Sequence, residues 1–207
     1  MAVTTRPKAL ALDDVRVVRF PWRKLLIGVA VFFGLVASGF VVTNTYATLA
    51  QQSLETEWAG IVASGGSPAP IVGEPVAKIV IPRIGLERVV LEGEDRGVLR
   101  KAPAHAPGTP LPGGAGNSVI RGHRLLWSGP FRDLDKLGLG SEIHVQTVEG
   151  TAVYLVAGIF RQDGRRVDMF EDTTLPYLTL VTSDPPLKAD GTLVVRAAMV
   201  ERDGVPI

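Results

Sequence analysis

Eighteen consecutive residues without a charge, Leu25 to Val42 (LLIGVAVFFGLVASGFVV), constrain this chain more than any other feature. As a helix they rise about 27 Å, close to the roughly 30 Å hydrocarbon core of a bilayer. Trp22 precedes the run and Tyr46 follows it, where interfacial aromatics collect. Arg6, Lys8, Arg16, Arg19, Arg23 and Lys24 lie on the N-terminal flank against Asp13 and Asp14, and the next positive charge beyond the run is Lys78. That asymmetry predicts a basic cytoplasmic tail over 1–24, a single transmembrane helix over 25–43, and an extracellular remainder. A cleaved signal peptide is the rival reading. The run is longer than the roughly 7–15 apolar residues of such a peptide, and Thr43-Asn44-Thr45 is a poor cleavage site, which favours the anchor. A buried helix of a soluble protein is disfavoured by Gly28, Gly34 and Gly39.

Beyond the run, NTYATLAQQSLETEW (Asn44 to Trp58) places Ala47, Ala50, Leu54 and Trp58 at helical spacing, a juxtamembrane helix continuing the anchor. AGIVASGGSPAPIVGEP (Ala59 to Pro75) is rich in Gly, Ser and Pro and reads as a tether. The segments 44–75 therefore link the anchor to a domain over 76–207. In that domain short strands alternate with turns. VAKIVIPRIGL and ERVVLEG form two strands joined at a glycine, and EDRGVLRKAPAH holds a helical turn or two. NSVIRGHR is a short strand, PFRDLDKL a short helix opened by proline, and SEIHVQTVEGTAVYLVAGIF a hairpin about Glu149-Gly150. YLTLVTS and GTLVVRAAMV complete a mainly β fold, a closed seven- or eight-stranded barrel with short helices.

Composition narrows the chemistry. There are no cysteines, which excludes disulfides, thiolate metal sites and a thiol nucleophile. A net charge of +1, without a basic run in the second half, argues against nucleic acid as a partner. The acidic residues are scattered, so no calcium site is indicated, and no motif calls for a cofactor. Of three histidines, His144 lies in the alternating run EIHVQT and reads as a polar-face strand residue, while His105 sits in a proline-rich loop and stays ambiguous. His123 ends an apolar strand after Gly122 and before Arg124. Ser183 closes the strand YLTLVT before Asp184 and two prolines, and Arg196 interrupts the apolar strand LVVRAAMV. Each has an ordinary structural explanation by itself.

Taken together, these pieces carry a resemblance. APAHAPGTPLPGGAGNSVIRGHR, GPFRDLDKLGLGSEIHV, LTLVTS and GTLVVRAAMV, in that order, resemble the sortases, extracytoplasmic cysteine transpeptidases of Gram-positive bacteria. The H-x-PGT-x-x-PG stretch looks most like the actinobacterial class E type. The resemblance implies a sortase-type barrel with His123 at the family histidine and Arg196 at the arginine that binds oxyanion and substrate backbone. Ser183 falls at the position of the nucleophilic cysteine. It further implies sorting-signal-bearing surface proteins as substrates, a cell-wall precursor or pilin amine as acceptor, and a peptide groove floored by LTLVTS and walled by Arg161 to Thr174.

A serine changes the chemical demand. A thiol is already a few per cent thiolate at neutral pH, whereas a hydroxyl needs a base to remove its proton during attack. His123 is the candidate base, and Asp184 is a candidate to orient it. Three readings stand open: a natural slow serine nucleophile, a degenerate sortase that binds peptides or a partner protein without catalysis, or an introduced Cys-to-Ser change. A purely structural surface barrel is the fourth.

Overall fold

The computed structural model describes residues 22–66, 70–163, 173–186 and 190–207. Its first element is one helix, α1, Trp22–Ala63. The chain divides into two units within it, after Ser38. In the first unit the described residues are helical and exposed throughout. Among the described residues α1 is the one helix long and apolar enough to cross a membrane, with a mean hydropathy of 2.6 over 18 residues, none of them buried.

In the second unit α1 changes character. Ala47, Gln51, Leu54 and Trp58 are buried, at steps of four, three and four that draw one stripe along a helix. Leu54 and Trp58 pack against Val89, Leu91, Val98, Ala102 and Ala104. The helix continues to Ala63, into the stretch whose composition reads as a tether, because Ile61 extends the same apolar seam. Lys78 bridges Glu55 of the helix at 2.9 Å and Glu87 at 2.6 Å.

Among the described residues nine strands follow: β1 Pro75–Ile81, β2 Leu86–Glu92, β3 Ala104–His105, β4 Asn117–Arg121, β5 Glu142–Thr147, β6 Gly150–Asp163, β7 Tyr177–Asp184, β8 Gly191–Arg202 and β9 Val205–Pro206. Their order is β6-β5-β1-β2-β3-β4-β7-β8-β9, and pairing of β6 with β8 closes the first eight into a barrel. Of the seven or eight strands expected for a closed barrel, eight form it. A short helix, α2 (Arg96–Leu99), capped by the Asp95 carboxylate on the backbone N–H groups of Gly97 and Val98, lies between β2 and β3. Strand β1 buries alternate residues, as a one-sided strand must. Ile79, Ile120, Tyr154, Leu178, Leu180, Leu193 and Val195 fill the interior.

Two turns match the sequence reading. The β1–β2 connection passes through a 3-10 turn, Pro82–Ile84, to Gly85 at φ +61°, a left-handed conformation that suits glycine. The β5–β6 hairpin turns between Thr147 and Gly150. The segment 130–137 differs from expectation: only a 3-10 turn forms, Leu134–Lys136. Phe131, just ahead of that turn, and Leu134, its first residue, are both fully buried. The Leu134 N–H points to the Phe131 carbonyl at 3.5 Å, so the chain bends tightly enough to send both side chains to the core.

Strand directions decide where chemistry can occur. β4 and β7 are parallel neighbours, so both finish at the same barrel end. Gly191 of β8 and Asp163 of β6 pair at that end too, while Gly150 and Arg202 lie at the other.

Candidate active site

Side chains alternate along β7. Leu178 and Leu180 enter the core, so Tyr177, Thr179, Val181 and Ser183 face outward. Val181 packs with Ala106, Val119 and Val194 as an apolar floor on the outer surface. Thr179 donates its hydroxyl to Asn117 Oδ1 at 2.7 Å, fixing β7 against β4 within the buried layer.

Past Arg121 the chain stays tied to β7. The Gly122 N–H donates to the Val181 carbonyl at 3.1 Å, and the Thr182 hydroxyl donates to the Gly122 carbonyl at 2.8 Å. Gly122 has no alternative, because a Cβ there would come within 2.7 Å of the Phe131 ring. Phe131 N–H in turn donates to the His123 carbonyl at 3.0 Å. Arg124, almost wholly buried, donates to the Ser183 carbonyl at 3.1 Å, pairs with Asp135 at 3.0 Å and makes a short hydrogen bond to Asp184. Sequence reasoning named Arg124 only as the residue after His123. Its signal was a second guanidinium just past the strand end, after Arg121, with two aspartates available.

These ties bring His123 and Ser183 to one depression of about 300 Å³, which Leu99, Arg121, Gly122, Val181, Thr182, Gly191 and Thr192 also line. Burial first, and the nearby Arg100 charge second, hold the His123 pKa below its ordinary 6.5. A neutral imidazole in the same depression as a hydroxyl is the protonation state that general-base chemistry needs.

Arg196 is not gathered there. It pairs in register with Thr179, whereas Ser183 pairs with Thr192. Four strand positions separate these levels, about 13 Å. The Arg196 guanidinium lies 4.3 Å from the centre of the Tyr177 ring, on the side away from Ser183. Asp184 does not orient the imidazole either, because its carboxylate is held by Arg124 and, at 3.3 Å, by Arg161. His105 is buried between Glu92 at 2.7 Å and the Pro110 carbonyl at 3.0 Å, and so ties β2 and β3 to the following loop. His144 is a half-buried strand residue 3.2 Å from Glu142. Of the wall expected over Arg161 to Thr174, residues 164–172 lie outside the described residues. The described sides of the depression are Leu99 of α2 and Gly191 and Thr192 of β8. Among the described residues no cluster of three or more His, Asp or Glu is arranged to hold a metal ion.

A closed eight-stranded barrel whose parallel strands end together beside an outer groove defines a class, the sortase-type barrel. Residues 79–200 match the family described as Sortase domain, and the chain belongs to that family. Sortase SrtE1 of Streptomyces coelicolor is 28% identical over 177 residues, a match that covers 78% of this chain and 50% of that protein. The chain thus spans about half the length of this relative. Sortase E of Streptomyces avermitilis superposes with a TM-score of 0.56 at 29% identity, over 64% of this chain and 91% of that one. The sortase D5 transpeptidase of Clostridium perfringens shares the fold, with a TM-score of 0.64 at 23% identity over 76% of this chain and 99% of that one. With its Streptomyces relatives of the E type, the chain is class E-like.

Proposed function

We propose that this protein is a membrane-anchored, outward-facing sortase that transfers a peptidyl group from a sorting signal to an amine, with Ser183 as nucleophile. Residues 1–24 are the cytoplasmic tail, 25–43 the span, and 76–207 the extracellular catalytic domain, to which the helical half of 44–75 is packed. His123 removes the Ser183 proton as Oγ attacks the scissile carbonyl carbon. The tetrahedral oxyanion collapses to an ester, and the imidazolium returns its proton to the departing amine. An acceptor amine from a cell-wall precursor or a pilin then attacks the ester, His123 taking its proton and Ser183 regaining a hydroxyl. Arg196, stacked on Tyr177 farther along the same outer face, is suited to the peptide backbone upstream of the scissile bond.

One observation carries this reading: His123 and Ser183 line the same depression at the ends of two parallel strands. A specific observation favours the second reading, a degenerate sortase that binds sorting-signal peptides or a partner protein without cutting. Among the described residues no side-chain hydrogen bond orients the His123 imidazole, and Asp184 is committed to two arginines.

The test uses the full chain in detergent or vesicles with a library of sorting-signal peptides. Slow catalysis predicts an acyl adduct on Ser183 by mass spectrometry, absent from His123→Ala and Ser183→Ala. Ser183→Cys should raise transfer by about a thousandfold, roughly 4 kcal/mol of barrier. Peptide binding without any adduct, together with transfer restored by Ser183→Cys, would establish the degenerate binder.

A further inference from the structure

The loop after His123 has a conformation that its sequence does not favour. Trp127 and Ser128 both have positive φ, 55° and 64°, followed by Gly129 at 51°. For a bulky residue such as tryptophan this is an outlier, costing about 1–2 kcal/mol. Contacts from α1 hold it. Asn44 Oδ1 accepts the Ser128 N–H at 2.8 Å, and the Tyr46 ring meets the Trp127 ring edge-on at 6.0 Å. The Gly129 N–H closes the turn on the Leu126 carbonyl at 3.0 Å. The result presents Leu126, 54% exposed, beside Trp127 and Tyr46, with the exposed Arg100 guanidinium 5.3 Å from the Trp127 ring.

Chain geometry says what meets this patch. The apolar run ends at Val42, and Tyr46 lies four helical residues on, about 6 Å farther along the axis. The polar interfacial layer on each side of a bilayer is about 5–7 Å deep. With 25–43 as a span, Tyr46 falls at the depth where aromatic residues anchor proteins to headgroups, with the Trp127 ring against it and a cation, Arg100, beside that ring.

We infer that the loop Leu126–Trp127, with Tyr46, docks into the bilayer interface, so that the barrel end bearing His123 and Ser183 faces the membrane surface. This rests on the reading of 25–43 as a membrane span. It goes beyond anchoring, since a flexible stalk would leave the site free to tumble at any height. Here the loop that begins at Arg124, one residue past His123, is itself the second contact with lipid. Peptides and acceptors would then approach within the plane of the interface, as membrane-tethered substrates do.

The chain contains no cysteine, so single labels can be placed cleanly. Leu126→Cys, Val36→Cys and Val205→Cys, at residues 54%, 54% and 63% exposed, are labelled with an environment-sensitive fluorophore and reconstituted at full length into phosphatidylcholine–phosphatidylglycerol vesicles. Val205 is an exposed apolar residue beside Arg202, at the opposite barrel end, and so controls for apolarity. The label at 126 should be shielded from aqueous iodide and quenched most by lipids carrying a nitroxide near the headgroup. That at 36 should be quenched by mid-chain nitroxides, and that at 205 by iodide alone. A label at 126 that behaves like the one at 205, while 36 is lipid-quenched, overturns the docking and leaves the anchor standing. Iodide access at 36 overturns both.

Discussion

At Arg124 one guanidinium serves three acceptors: the carbonyl of Ser183 and the carboxylates of Asp184 and Asp135. It therefore holds the residue after the candidate base against the candidate nucleophile. Replacing it by methionine keeps bulk but takes a partner from two carboxylates and leaves the Ser183 carbonyl without this donor. The expected loss of stability is about 3 kcal/mol, the low end for breaking a buried pair, because Asp184 retains Arg161. A lowered urea midpoint of the full chain measures it. An unchanged midpoint would mean that the pairing contributes nothing. His123 gives a second prediction. Burial and Arg100 disfavour its charged form, so the imidazole stays neutral to lower pH than usual. The acid limb of kcat/KM should then inflect below pH 6.5, and Arg100→Gln should move it upward. Imidazole NMR titration reads the same shift without turnover. The sequence placed His123 and Ser183 at the ends of apolar runs, which are visible in a linear pattern, but only the family resemblance joined the two into one candidate site. The stacking of Arg196 on Tyr177 was not legible, since it depends on β7–β8 register, which the strands' own sequences leave open.

Among the elements, α1 shows most clearly what periodicity gives and what composition hides. The stripe Ala47, Gln51, Leu54 and Trp58 was readable in part as helical spacing. The continuation to Ala63 was hidden by glycine and serine that counted as tether, although Ile61 supplies the contact that keeps the helix going. Since Trp58 is buried with Val89, Leu91 and Ala104, the C-terminal part of the helix, from Gly39 on, is structurally part of the barrel domain. Trp58→Ala should cost about 3–5 kcal/mol, as other large core truncations do. A domain cut at residue 76 should expose that apolar face and aggregate, whereas one begun at residue 44 should stay monodisperse in size-exclusion chromatography. Equal behaviour of the two would show that the seam is dispensable. Segment 130–137 was misread for a related reason. Its helix-like spacing of apolar residues served to bring Phe131 and Leu134 to the core in one tight turn.

For the whole molecule, the direction of two strands matters more than any single contact. Because β4 and β7 are parallel, His123 and Ser183 emerge together, and the loop between Arg124 and Pro130 carries that end to Asn44 and Tyr46. On the proposed reading of 25–43 as a membrane span, the few residues between Val42 and Asn44 would set the height of the site above the bilayer. Inserting seven helix-forming residues after Val42 would raise the barrel by about 10 Å while rotating it only about 20°, leaving every contact from Asn44 onward intact. In a Ser183→Cys background, cleavage of a soluble sorting-signal peptide should be unchanged by the insertion. Transfer between a membrane-tethered substrate and a lipid-linked amine in the same vesicle should fall by about tenfold or more, because their effective concentration at the lifted site drops. An equal loss in both assays would point to a damaged fold. No loss in either would mean that the site works at any height, and that the contact between Trp127 and Tyr46 serves the barrel alone.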